Sequence, residues 1–241
     1  MILLIDIGNS RLKWALSDGS SISAVTAADH AGDPAGAIKR MTATGVEAVW
    51  VAQVMGAEHE RQIIDAVNAH WRLVPQFART RAEFLGLSCA YADPARLGVD
   101  RWLMLLAAWS EVRGACCVVS AGTALTFDAV AADGRHQGGF IAPGLTPMLK
   151  ATLGSTRFET DDIGAAYTDG LGQDTEACVR QGAFLAGLGA IQQGLHAAGS
   201  PAKRFICGGD AAAFLPYLDA EWQRRDQLVL QGLLALARQS A

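Results

Sequence analysis

Five residues that can bind or neutralise phosphate, and one that can hold its metal, fall within the eight-residue stretch DIGNSRLK: Gly8, Asn9, Ser10, Arg11 and Lys13, and Asp6. Gly, Asn and Ser in a turn bring successive backbone N–H groups close together with no bulky side chain in front of them. Such a nest accepts phosphate oxygens. A carboxylate beside the turn suits Mg²⁺, which dehydrates reluctantly and is usually met through water, and Asp6 occupies that place. Arg11 and Lys13 are near enough in sequence to meet phosphate charge. The same turn is also a common hairpin connector, so this stretch alone leaves both roles open. A second stretch, VVSAGTALTFDAV at residues 118–130, repeats the design. Its turn holds Gly122 and Thr123, and Ser120 stands where the first copy has Asp6. Asp128, on the exit strand, is a further candidate for organising phosphates or a metal. ICGGDAA at 206–212 is a third glycine turn. It would let an adenine or ribose approach the backbone, or it is a plain strand-to-helix connection.

Strands and helices must hold these turns. Residues 2–17 alternate as a strand pair around Gly8-Asn9-Ser10, and VEAVWVAQV at 46–54 reads as a buried strand. Residues 58–71 have helical spacing at Ile63, Ile64, Val67 and Trp71, and a further helix opens at about Asp100 with Trp102, Leu105, Leu106 and Trp109 on one face. The strand-turn-strand pattern restarts at 115–130, and 136–144 adds a strand ending in a Pro-Gly break. Residues 174–199 predict a long helix rich in Gly and Ala, 204–218 a strand, glycine turn and helix, and 226–239 a last helix with Leu228, Leu230, Leu233, Leu234 and Leu236 apolar. The second half restates the opening of the first. This predicts a duplicated α/β lobe, with lobes 1–114 and 115–241 and no Pro- or Ser-rich linker between them.

The bulk composition bounds the function classes. A chain of 241 residues with 51% hydrophobic and 18% charged residues is globular rather than disordered. The net charge is −4, and the absence of a basic run excludes a nucleic-acid or membrane-surface partner as an expectation. Five cysteines, an odd number without a CxxC pair, argue against structural zinc and a disulfide framework and for reduced, mostly buried thiols in the cytosol. MILLIDIG lacks a basic leader and meets Asp6 too soon for a signal peptide, and no apolar stretch approaches a membrane span. A cytoplasmic location is expected. The five histidines, at 30, 59, 70, 136 and 196, show no ligand spacing and read as surface or internally satisfied residues. Trp102 and Trp109 read as core or interface.

Taken together, DIGNSRLKWAL, YADPARLGVDRW, SAGTALTFD, GGFIAPG, DTEACVRQG and ICGGDA resemble the type III pantothenate kinases, the Bvg accessory factor-like family, in order and spacing across essentially the whole chain. The resemblance implies the fold of the acetate kinase, sugar kinase, heat-shock-70 and actin superfamily. That is an α/β fold of two duplicated actin-like (ribonuclease H-like) lobes, mixed sheets flanked by helices, with a nucleotide cleft between them. In this frame the GGD turn at 208–210 lies on the adenosine side. The implied activity is transfer of the γ-phosphoryl group of ATP to pantothenate, giving 4'-phosphopantothenate at the first step of coenzyme A biosynthesis.

The same resemblance assigns residues. Asp100 is the proton acceptor, with helix N-capping as its plainer role. Tyr91, Gly98, Val99, Asp100, Arg101 and Thr175 contact pantothenate. Arg101 would otherwise be a surface arginine, Tyr91 a half-buried aromatic, and Thr175 a helix cap in competition with Asp174. The segment Asp6, Ile7, Gly8, Asn9, Ser10, Arg11, Leu12 and Lys13, together with Thr123, binds ATP, and Asp6 meets Mg²⁺ through water. The position of Ser120 is an aspartate in many family members, where it binds K⁺ or NH₄⁺. A neutral hydroxyl attracts a cation far less, so weak, altered or absent cation dependence is expected here. The family is typically homodimeric, and the glycines at 182, 187, 189 and 194 would allow close packing of a shared helix. A regulatory protein of the same fold without turnover is the rival reading, as is a kinase of another small alcohol.

Overall fold

A computed structural model describes residues 1–155 and 167–239, which form two compact units. In the first, β1 (Ile2–Ile7) pairs antiparallel with β2 (Arg11–Ser17), and β2 pairs antiparallel with β3 (Thr26–Asp29). After α1 (Pro34–Lys39), β4 (Ala48–Gln53) lies parallel on the other side of β1; after α2 (Ala57–Trp71), β5 (Gln76–Phe77) extends the sheet in parallel. The five-stranded order is β3-β2-β1-β4-β5. A short hairpin, β6 (Glu83–Phe84) and β7 (Leu87–Ser88), precedes α3 (Val99–Val112). Strand pleating divides the sheet residues between two faces. Leu3, Ile5, Ile7, Leu12, Val49 and Val51 pack with Ile38 of α1 and Ile63, Ala66 and Val67 of α2. The opposite face carries buried Leu4, Ala15 and Trp50, and with them, by the same alternation, Asp6 and Lys13.

The second unit repeats this plan. β8 (Cys116–Ala121), β9 (Ala124–Val130) and β10 (His136–Pro143) form an antiparallel meander. α4 (Leu145–Ser155) and α5 (Thr175–Ala197) follow, and β11 (Lys203–Cys207), α6 (Ala211–Phe214) and β12 (Trp222–Arg224) complete the unit. β11 is parallel to β8, and β12 to β11, giving the order β10-β9-β8-β11-β12. Strand order and the sense of every pairing match the first sheet position for position, so the duplication expected from the two hairpins is present. Cys117, Val119, Leu125 and Phe127 bury one sheet face against Phe184, Leu188 and Ile191 of α5 and Phe214 of α6. Two α5 glycines admit this packing: a Cβ on Gly187 would sit 2.8 Å from the Phe214 ring, and one on Gly194 would sit 2.8 Å from that of Phe140. Gly182 and Gly189, by contrast, have no atom within 4 Å of an added Cβ.

The final helix corrects the expected lobe 115–241. α7 (Leu228–Arg238) packs on β1, β2 and β4 and belongs with residues 1–111. Its apolar face, Leu228, Leu230, Leu233, Leu234 and Leu236, is buried there. Gly232 lies so close to α3 that a Cβ would be 2.1 Å from the Leu103 carbonyl oxygen. Arg238 closes the helix by donating to the Gly19 and Ser20 carbonyls. Leucine periodicity specifies an amphipathic helix but not which sheet receives it. Trp102 and Trp109, expected in the core or an interface, are core residues. Among the described residues no helix is long and apolar enough to cross a membrane.

Candidate active site

In the first unit, Asp6 and Lys13 are direct cross-strand partners at the turn end of the β1–β2 hairpin. Burial pushes the Asp6 carboxyl from 3.8 up to about 7; the Lys13 ammonium offsets part of that rise and the Asp100 carboxylate adds to it. A carboxyl so placed gains its charge readily only when further positive charge arrives. The turn itself is open. The Gly8 N–H donates to the Arg11 carbonyl at 3.0 Å, and Asn9 and Ser10 are exposed at the tip. Ile7 and Leu12 are fully buried, so only their backbone is offered to a ligand. The exposed Arg11 side chain is engaged sideways, its Nε 3.0 Å from Asp29 Oδ1 on β3.

The start of α3 gathers the residues assigned to pantothenate. The Trp102 N–H donates to the Gly98 carbonyl at 3.0 Å, which places Gly98 at the cap and Asp100 one residue inside the first turn. Asp100 is therefore not the cap residue itself, and its carboxylate sits at a helix end that favours negative charge. Gly98 is needed for its pose, because a Cβ there would lie 2.7 Å from Asp100 Oδ1. Arg101 is not a surface residue. It is 5% exposed, and its Nη1 donates to Tyr91 Oη at 3.2 Å. Tyr91 is itself delivered by a stiff connection, in which Asp93 Oδ1 accepts the Ala95 N–H at 3.1 Å to cap the single turn Pro94–Arg96. Asp6, Lys13 and Asp100 thus form one electrostatic group, with the Tyr91–Arg101 pair adjoining it in sequence.

In the second unit, Thr123 is exposed at the tip of the β8–β9 hairpin. Its carbonyl accepts the Gly144 N–H at 3.1 Å, and a Cβ on Gly144 would be 1.8 Å from the Gly122 oxygen. The last glycine of GGFIAPG is thus a packing requirement of this hairpin. The GGD turn abuts the same strand end: Asp210 N–H donates to the Ala121 carbonyl at 3.0 Å. Gly208, at φ +96°, leaves no room for a Cβ against that oxygen, 2.1 Å away. Ser120 faces Thr126 across the ladder where Asp6 faces Lys13 in the first unit, so two neutral hydroxyls stand in place of an acidic and a basic side chain. Thr126 Oγ1 is buried without a hydrogen-bond partner. Asp128 turns away from phosphate duty, since its Oδ1 is 3.0 Å from His136 Nε2 and both side chains are buried. At the start of α5, Asp174 takes the cap, accepting the Ala177 N–H at 2.7 Å. Thr175 is left exposed in the first turn.

One functional candidate escaped sequence reasoning. His30, 2% exposed, places Nε2 2.9 Å from the Gly8 carbonyl oxygen of the first hairpin. A lone histidine without ligand spacing carries no signal of such a contact. Among the described residues no group of three or more His, Cys, Asp or Glu side chains is placed to hold a metal ion. A single carboxylate at an open hairpin is instead a donor set for a cation held mostly by water and phosphate.

The sequence profile of the type III pantothenate kinases matches residues 2–197. Over all of this chain, the type III pantothenate kinase of Nitrosococcus oceani is 36% identical with 95% of its own length covered. That of Aromatoleum aromaticum is 37% identical with 99% covered. Among solved structures, a conserved Baf-family protein of Campylobacter jejuni, described as a transcriptional activator, aligns over 99% of this chain and 98% of its own at 22% identity and TM-score 0.64. A Sinorhizobium meliloti protein described as a 2-dehydro-3-deoxygalactonokinase aligns over 100% and 99% at 16% identity and TM-score 0.58. These likenesses show the fold, the mixed α/β plan of actin-like ATPases and sugar kinases. The profile match over most of the chain and the full-length relatives show the family: the chain belongs to the type III pantothenate kinases.

Proposed function

We propose that the chain transfers the γ-phosphoryl group of ATP to the primary hydroxyl of pantothenate, the first step of coenzyme A biosynthesis. The observation that carries this reading is the start of α3, where Asp100 stands one residue inside the helix, beside the buried Arg101 and its half-buried partner Tyr91. Asp100 accepts the proton of the attacking hydroxyl, with deprotonation late in a loose transition state. Arg101 presents a planar fork suited to the pantothenate carboxylate, and the Tyr91 hydroxyl fixes its orientation. Thr175 and the backbone of Gly98 and Val99 complete the pantothenate contacts. The backbone of residues 6–13 and Thr123 bind the ATP phosphates, with Lys13 supplying positive charge. Mg²⁺, when bound, neutralises phosphate charge, and Asp6 would hold it through water.

Ser120 and Thr126 offer no carboxylate, which supports a weak, altered or absent dependence on K⁺ and NH₄⁺. A rate that collapses when sodium replaces both would refute that. The exposed α5 positions Gly182, Ala186 and Gly189 support a homodimer packed through this helix, and the acidic balance and buried thiols support a cytoplasmic location. The test of the main reading is ADP release with ATP, Mg²⁺ and pantothenate, beside Asp100→Asn. Turnover by wild type and a loss of about 10²–10⁴-fold in the variant is the expected result. A wild-type protein silent in sodium, potassium and ammonium buffers alike would overturn it and favour a regulatory role.

A further inference from the structure

We infer that His30 is a positioning residue for ATP, acting through the carbonyl groups of the first hairpin. The inference rests on reading Gly8-Asn9-Ser10 as a phosphate-binding turn. His30 follows the end of β3 and meets that turn twice. Its Nε2 is 2.9 Å from the Gly8 oxygen, and its backbone N–H donates to the Ser10 carbonyl at 3.3 Å. Which ring nitrogen carries the hydrogen follows from the third contact. The Gly32 N–H lies 3.2 Å from Nδ1, and a backbone N–H can only donate, so Nδ1 is the bare nitrogen and Nε2–H donates to Gly8. The turn that returns Gly32 to the ring is tight: Ala31 and Gly32 have φ of 48° and 86°, and the Asp33 N–H donates to the His30 carbonyl at 2.7 Å.

Peptide geometry gives these contacts a consequence for phosphate. In a trans peptide the C=O and the following N–H point in opposite directions, and the described residues contain no cis bond. Drawing the Gly8 and Ser10 oxygens toward His30 therefore aims the Asn9 and Arg11 N–H groups away from it. Among the described backbone bonds, Gly8 N–H to Arg11 C=O is present and the return bond from Arg11 N–H to Gly8 C=O is not. The histidine takes the acceptor that would otherwise close the turn, and the turn keeps its amides outward for an anion. Without the ring, Gly8 C=O can swing outward and place a partial negative charge where phosphate oxygens bind.

The test compares two substitutions that divide the ring's functions. His30→Gln can place an amide N–H near the Nε2 position and so retain the donor to Gly8. His30→Asn can keep an acceptor for Gly32 near Nδ1 but cannot reach Gly8. The expected result is a KM for ATP raised about tenfold in His30→Asn, the loss of one positioning hydrogen bond. KM for pantothenate and kcat at saturating ATP stay close to wild type, and His30→Gln recovers most of the ATP affinity. An unchanged KM for ATP in His30→Asn, equal behaviour of the two variants, or a joint fall in all parameters overturns the proposal. Asp6→Asn, run in parallel, separates the levels. If it weakens ATP binding and His30→Asn does not, the His30 proposal alone fails. If neither does, the hairpin reading fails and takes the proposal with it. Should His30→Asn not fold, ¹⁵N spectroscopy of the wild-type imidazole decides: an Nδ1–H tautomer would refute the arrangement.

Discussion

Replacing Asp6 by Asn should stabilise the ligand-free protein at alkaline pH while impairing catalysis. Burial holds the Asp6 carboxyl at about 7 against 3.8 in an unstructured chain. A carboxyl whose pKa is raised on folding favours the folded state when protonated. That contribution is complete below pH 3.8 and is lost as pH rises toward 7, because the unfolded chain releases the proton first. Between pH 5 and pH 8 the linkage amounts to roughly 2–3 kcal/mol of lost stability at most, because the group retains some contact with water. Asn, of the same shape and uncharged, removes this dependence. The assay is urea unfolding of wild type and Asp6→Asn from pH 5 to pH 8, without nucleotide or Mg²⁺. The wild-type-minus-variant stability should fall steadily across that range, with the variant the more stable at pH 8. A difference that stays flat with pH, or that moves in favour of wild type as pH rises, would refute the idea that Asp6 is held at a cost until a cation arrives.

The other expectations follow from close contacts. Gly232→Val drives a side chain into the Leu103 carbonyl region and should lower stability by about 1–3 kcal/mol, read by denaturant midpoint; an unchanged midpoint would mean α7 does not seat against α3 as described. Arg101→Lys keeps the charge but loses the fork, and should raise KM for pantothenate about tenfold with little change for ATP. Asp174→Ala removes the α5 cap and should cost about 1 kcal/mol; any accompanying rise in KM would fall on pantothenate, through Thr175, and not on ATP.

Much of the site was legible because its chemistry is local. DIGNSRLK needs only a strand, a turn and a strand to place Asp6 opposite Lys13, and period-two alternation fixes that pairing and its face. The repeat at 118–130 announced the duplicated sheet, since strand-turn-strand spacing survives when side chains change. LGVDR marked the α3 start, although only the helix itself shows Gly98 as cap and Asp100 inside the turn. Short edge strands such as β3, with four residues, and β5, with two, carry too little pattern to be read. What the tertiary structure alone decided shares one physical cause: contacts between residues far apart in sequence. Leucine spacing made α7 a helix, but the fit of Gly232 against Leu103 sent it to the first unit. The acid type of Asp128 suggested phosphate chemistry, but its register opposite β10 gave it to His136. His30 had no pattern at all, and only the fold brings it to Gly8, 22 residues earlier.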